Sequence, residues 1–172
     1  AEDPLLNGDS KKYTKVKIFN IDDYSPGKAL NFGVKKSTKK NILIISAHCI
    51  LKQFSEIQVL KLLKKHVCIF GNQIPVYRGK KITKRYIWSH FIDEKCLNMF
   101  SKLENRYFLH NALAVYRKEI LKKYPFDPNL TEKEDRYWAN MIVKKKMNYL
   151  YEPMLVAEHQ YPDNGNTWKG IG

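Results

Sequence analysis

Asn41-Ile42-Leu43-Ile44-Ile45-Ser46 is a continuous apolar run with no polar alternation, bounded by lysines before it and by His48 and Cys49 after it. Six residues are too few to cross a bilayer. Such a run reads as a strand buried on both faces, and a strand of that kind belongs to a sheet covered by helices. The chain is therefore expected to be α/β. Its 172 residues suffice for one domain with a real core.

The neighbouring segments fit this expectation. Val16–Ile21 alternates and is rich in β-formers, so it predicts a strand. Ser25-Pro26 is an N-cap followed by a first-turn proline, predicting a helix to about Ser37. Ile50, Phe54, Ile57, Leu60 and Leu63 recur at helical spacing and predict a helix over 50–65. Val67–Phe70 predicts a short buried strand ended by Gly71-Asn72, and 73–91 reads as an irregular basic and aromatic excursion. Helices are expected over 93–104, 115–123 and 132–146, then short strands at Tyr149–Tyr151 and Met154–Ala157. Residues 1–14 read as a tail, 15–161 as the domain, and 162–172 as a second tail.

Composition narrows the function. The net charge of +14 suits an anionic partner: nucleic acid, a membrane surface or a phosphorylated small molecule. A solvated lysine-rich face explains the same number equally well. The stretch from Tyr77 to Trp88 (Arg78, Lys80, Lys81, Lys84, Arg85, Tyr86) could stack bases, but no recognised RNA or DNA motif accompanies it. Cys49, Cys68 and Cys96 lack CxxC spacing, so they read as reduced thiols of a cytoplasmic protein.

Four local patterns carry possible chemistry. Ser25–Gly33 opens a helix after a strand, and its Gly27, Lys28 and Asn31 suit an anion at a helix N-terminus; a capped helix start is the plain alternative. Ser46-Ala47-His48 ends the buried strand, where α/β sheets place ligands; a structural histidine is the alternative. Thr131 and Glu134 have capping-box spacing, whereas Asp135 shares an inward helix face with Trp138 and Ile142. A carboxylate there is either paired or used, and proton removal from a hydroxyl is one use. Glu158-His159-Gln160 offers a second histidine for a metal or a phosphate, or a plain loop residue.

Taken together these patterns resemble the family-2 glycosyltransferases of the GT-A fold, especially the bacterial surface-polysaccharide type. The resemblance spans about Val16 to His159. It is strongest in Asn111-Ala112-Leu113-Ala114-Val115-Tyr116-Arg117-Lys118-Glu119, Pro125-Phe126-Asp127, Glu134-Asp135, Tyr149–Pro153 and Val156–His159. It implies a three-layer α/β sandwich, partial here, and inverting transfer of a sugar from a UDP- or GDP-linked donor to a glycan or lipid-linked acceptor. Asp135 would be the general base, beside Glu134. Gly27, Lys28, Asn31, Ser46 and Asn111 would lie near the donor. His48 and His159 would hold Mg²⁺ or Mn²⁺ on the donor diphosphate.

The chain departs from that pattern in two places. Ser46-Ala47-His48 stands where the family has Asp-x-Asp, and serine is a poor ligand for a hard cation. The family's opening strand-helix-strand, which holds the nucleotide base, has no counterpart in residues 1–14; the strand at 41–46 should then lack a neighbour and expose an apolar edge. A non-catalytic remnant or interaction module is the competing reading, and a nucleic-acid-binding module a further one. The expected location is cytoplasmic, with the basic stretch able to dock on the anionic inner membrane leaflet.

Overall fold

A computed structural model describes residues 16–82 and 90–161. The tails and Lys84, Arg85, Tyr86 and Trp88 of the basic stretch lie outside the described residues. The elements run α1 (Pro26–Lys36), β1 (Asn41–Ile45), β2 (Cys49–Gln53), α2 (Glu56–Leu63), β3 (Cys68–Tyr77) and β4 (Lys80–Lys81). Then follow β5 (Cys96–Leu97), β6 (Phe100–Ser101), β7 (Arg106–Tyr107), β8 (Leu113–Arg117), α3 (Lys118–Lys123), α4 (Glu134–Lys144) and β9 (Tyr149–Tyr161).

The main sheet has the order β1-β8-β3-β9-β2, with β4 on β3 and β5 on β9. β3 and β9 form its parallel centre, and the other pairings are antiparallel. One face carries an aromatic core of Phe70, Tyr116, Tyr149 and Tyr151, packed against Val34 of α1, Leu121 of α3, and Trp138 and Ile142 of α4. The other face carries Ile69, Leu113, Val115, Leu150 and Leu155 under Val59 and Leu63 of α2. This is a helix–sheet–helix sandwich.

The apolar run does form β1, but not as a strand buried on both faces. Leu43 and Ile45 are 40% and 39% exposed, while Ile42 and Ile44 pack on the aromatic core. β1 lies at the margin of the sheet, paired with β8 alone among the described residues, and α2 covers β3 and β8 rather than β1. The exposed apolar edge is thus present.

Several expected elements differ. Val16–Ile21 forms no helix and pairs with no strand among the described residues. The helix expected from residue 50 begins at Glu56, because Ser55 caps it by accepting from Gln58 N–H at 3.3 Å. Residues 49–53 pair with β9 instead, leaving Ile57 84% exposed. Gly71 does not end β3: the strand continues through a register shift at Gly71/Asn72. A Cβ there would lie 2.6 Å from Leu155 O, so only glycine lets β9 pass this closely. Residues 93–104 are short strands and turns, with Leu97 and Leu103 outside rather than in the core. Residues 113–117 are strand before α3 starts. Tyr149–Tyr161 is one strand, with Pro153 and Met154 inside its irregularity.

A flat sheet would separate β1 and β2 by four strand spacings, about 19 Å. Four peptide steps from Ile45 to Cys49 reach no more than about 14 Å. The turn Ser46–His48 therefore requires the sheet to curl and bring its margins together, and this seam holds the candidate site.

Candidate functional site at the sheet seam

His48 leaves the seam turn and meets His159 of β9 with their Nε2 atoms 2.8 Å apart. His159 Nδ1 lies 2.7 Å from Gln73 Oε1 on β3. The amide oxygen can only accept, so His159 carries its proton on Nδ1 and turns the Nε2 lone pair toward His48. His159 also stacks on Tyr161 at 5.0 Å between centroids. Burial, helped by His110 and His48, lowers its pKa to about 2, so it stays neutral at any ordinary pH. Burial lowers His48 as well.

His110 lies 6.0 Å from His159, ring to ring, and its Nδ1 accepts from Ala112 N–H at 3.2 Å. Burial holds its pKa well below the usual value, with Arg136 and His48 adding to the effect. The next residue, Asn111, ties this cluster to the acidic pair at the start of α4. Its backbone N–H donates to Asp135 Oδ2 at 3.0 Å, and its Nδ2 donates to Glu134 Oε1 at 3.0 Å. Tyr116 O–H donates to Asn111 Oδ1 at 2.6 Å, which fixes the orientation of that amide.

Asp135 is buried, with Trp138 and Ile142 on the same inward face. Its Oδ1 accepts from Arg136 N–H at 2.8 Å and from Arg136 Nη1 at 2.9 Å. The carboxylate is thus paired, with lone-pair capacity left on Oδ2. Burial, then Asp135, raises the pKa of Glu134 above the ordinary value. Burial opposes the charge of Arg136, but Asp135, Glu104 and Glu134 outweigh it and raise its pKa. The expected capping box is absent: Lys133 sits at the N-cap in the left-handed region, φ 61°, without a side-chain cap. Glu134 is freed from capping and faces Asn111.

The residues expected near a donor are spread more widely. Ser46 N–H donates to Ala112 O at 3.3 Å and lies at the seam. Asn111 is at the site, but both ends of its amide are engaged internally. Gly27, Lys28 and Asn31 instead pin α1 to the 126–128 segment and its own approach. Asn31 bonds Phe126 through both amide atoms, at 2.8 and 3.0 Å, and Lys28 pairs with Asp23. A Cβ on Gly27 would lie 2.1 Å from Asp127 O. Gly27→Ala is therefore expected to lower stability by about 1–3 kcal/mol despite its better helix propensity. Urea unfolding of the two proteins reads this, and an unchanged midpoint would remove the packing role.

Gln73, His110 and Arg136 are not marked as site residues by the sequence patterns, and Cys49 reads there only as a reduced thiol. Only His110 had a usable signal, its place directly before Asn111. A cavity of about 690 Å³ lies elsewhere, between Lys40, Leu63, Lys64 and Arg117 at the opposite end of β1 and β8. The His48–His159 and Glu134–Asp135 pairs lie at the seam rather than in that cavity.

No family model and no curated protein matches the chain. Among solved structures it resembles GalNAc-T7 in complex with UDP, GalNAc and Mn²⁺, at a TM-score of 0.67 and 13% identity. The match covers 98% of this chain and 37% of that one. The fold is GT-A-like. At that identity the likeness speaks for the fold alone. The GT-A-like chain spans little more than a third of the neighbour. Among its described residues, no helix is long and apolar enough to cross a membrane.

Proposed function

We propose that this chain is the catalytic part of a family-2-type glycosyltransferase. It transfers a sugar from a UDP- or GDP-linked donor to a hydroxyl of a glycan or lipid-linked acceptor, with inversion. One observation carries the reading. The His48–His159 pair and the Glu134–Asp135 pair meet at one seam of a GT-A-like sheet, linked by the adjacent residues His110 and Asn111.

Each group has a part. Asp135 takes the acceptor proton on Oδ2, while Arg136 holds Oδ1 and Asn111 fixes the carboxylate plane. Tyr116 keeps Asn111 in register with Glu134. Histidines that bind metals usually donate their second ring nitrogen to an oxygen, and His159 does so to Gln73. The pair therefore fits a divalent ion, which when bound would neutralise charge on the leaving diphosphate. Ser46 contributes at most a weak oxygen there. The same surplus of positive charge suits an enzyme of surface-polysaccharide assembly, working in the cytoplasm against an anionic inner leaflet.

Calorimetry with UDP and GDP, with no metal, with Mn²⁺ and with Zn²⁺, tests the reading on the wild type, His48→Ala and Asp135→Ala. Metal-dependent binding that is lost in His48→Ala and kept in Asp135→Ala is expected. Absence of binding to either nucleotide in all three proteins would favour a non-catalytic remnant instead. The margin of β1, without a strand partner among the described residues, and the serine at the carboxylate position are what favour that second reading.

A further inference from the structure

We propose that Cys49 is a third ligand of the His48–His159 centre, and that the centre takes a zinc-class ion rather than a hard one. The inference rests on the reading that the two histidines hold a metal.

The geometry places three donors together. Cys49 Sγ and the nearest ring nitrogens of His48 and His159 lie within 4.8 Å of one another. Cys49 and His159 are Cα partners across the antiparallel β2–β9 ladder, so their side chains rise from the same face. That register is secured on the other side, where β9 pairs with β3 from Asn72 to Tyr77. His48 is then delivered by the turn immediately before β2. The group contains no carboxylate.

Donor chemistry decides the ion. Thiolate and imidazole select zinc and its relatives, whereas carboxylate, carbonyl and water suit Mg²⁺ and Mn²⁺. A tetrahedral zinc-class ion, with Zn–N near 2.0–2.1 Å and Zn–S near 2.3 Å, separates two imidazole nitrogens by about 3.3 Å. The pair at 2.8 Å needs to open by only about half an ångström. On binding, His48 moves its proton from Nε2 to Nδ1, and the Cys49 thiol gives its proton to solvent. Two neutral imidazoles and one thiolate leave a net single positive charge and an open fourth position, where a diphosphate oxygen can sit.

The test is spectroscopic and needs no turnover. The metal-free full chain is titrated with Co²⁺, with Zn²⁺ and Mn²⁺ as competitors. The wild type is expected to show tetrahedral visible bands together with a near-ultraviolet thiolate-to-cobalt band, and Zn²⁺ displaces the ion where Mn²⁺ does not. Cys49→Ser should lose the near-ultraviolet band and weaken Zn²⁺ by more than the roughly 10–100-fold that loss of an outer-shell partner costs. Circular dichroism of each variant checks that it is folded, and Cys49→Ala provides a second thiol-free form. Visible bands without the thiolate band, or Mn²⁺ competing as well as Zn²⁺, would overturn the proposal and leave the histidine pair standing. No binding of any divalent ion to the wild type would overturn both.

Discussion

Arg136→Met is expected to lower the stability of the chain by about 3–5 kcal/mol at neutral pH. The guanidinium is buried, donates to Asp135 at 2.9 Å, pairs with Glu104 at 3.5 Å and lies 4.6 Å over the ring of Phe108. Methionine keeps the apolar stem and much of the volume, so a cavity contributes little. What remains is the buried Asp135 and the half-buried Glu104 without the counter-charge they share. Adding Glu104→Gln to Arg136→Met should then recover part of the loss, because one uncompensated charge is removed. Urea unfolding of the single and double variants measures this. A loss below about 1 kcal/mol would place Arg136 with exposed ion pairs, whose contribution is small.

Asp135→Asn and Glu134→Gln are expected to separate function from stability. Asparagine keeps an oxygen for the Asn111 N–H but cannot take a proton, so transfer should fall about 10²–10⁴-fold with the donor identified by calorimetry. Glu134 behaves differently in the fold. Its pKa is raised in the folded state by burial and by Asp135, so the folded state disfavours the ionised form. Between the ordinary carboxylate pKa and the raised one the unfolded chain is already ionised while the folded chain still holds its proton, so stability declines as pH rises through that window and stays lower above it. Glu134→Gln removes the charge yet still accepts from Asn111, so its melting temperature at pH 8 should equal or exceed that of the wild type. A Glu134→Gln protein that melts lower at pH 8 would mean that the carboxylate is stabilised by the fold. An Asp135→Asn protein with unchanged transfer would move the base elsewhere.

What could be read from the sequence is uneven for physical reasons. α1 was legible because Ser25 and Pro26 act locally, whatever packs on the helix later. β1 was legible as a strand, but its position was not, since apolar content does not distinguish a central strand from an edge. Residues 49–53 misled because Ile50, Phe54 and Ile57 happen to fall at helical spacing. In the fold most of β2 is exposed and carries no period of its own. Residues 93–104 misled in the same way, with Asn98 and Asn105 taking left-handed turns at φ 47° and 49°. The left-handed Lys133 broke a capping box that looked complete. At the site, Asp135 was marked by its inward helix face, and the two histidines by the strand ends. Gln73 was not: a glutamine in a buried strand signals nothing until its partner 86 residues away is known.

The central pairing of β3 with β9 has a kinetic consequence. Cys68 meets Tyr149 and Tyr77 meets Tyr161, so the middle of the sheet closes only when segments more than 80 residues apart in the chain find each other. Such pairing loses loop entropy before contacts compensate it, and chains built this way fold slowly. Local pieces such as α1 and the β6–β7 ribbon can form early, while β3 waits with one long edge open. His159 rides on β9, so the histidine pair cannot assemble before that last closure. Metal capture would then report the completion of folding, and a refolding assay that follows ligation should show one slow phase shared with burial of Tyr149 and Tyr151.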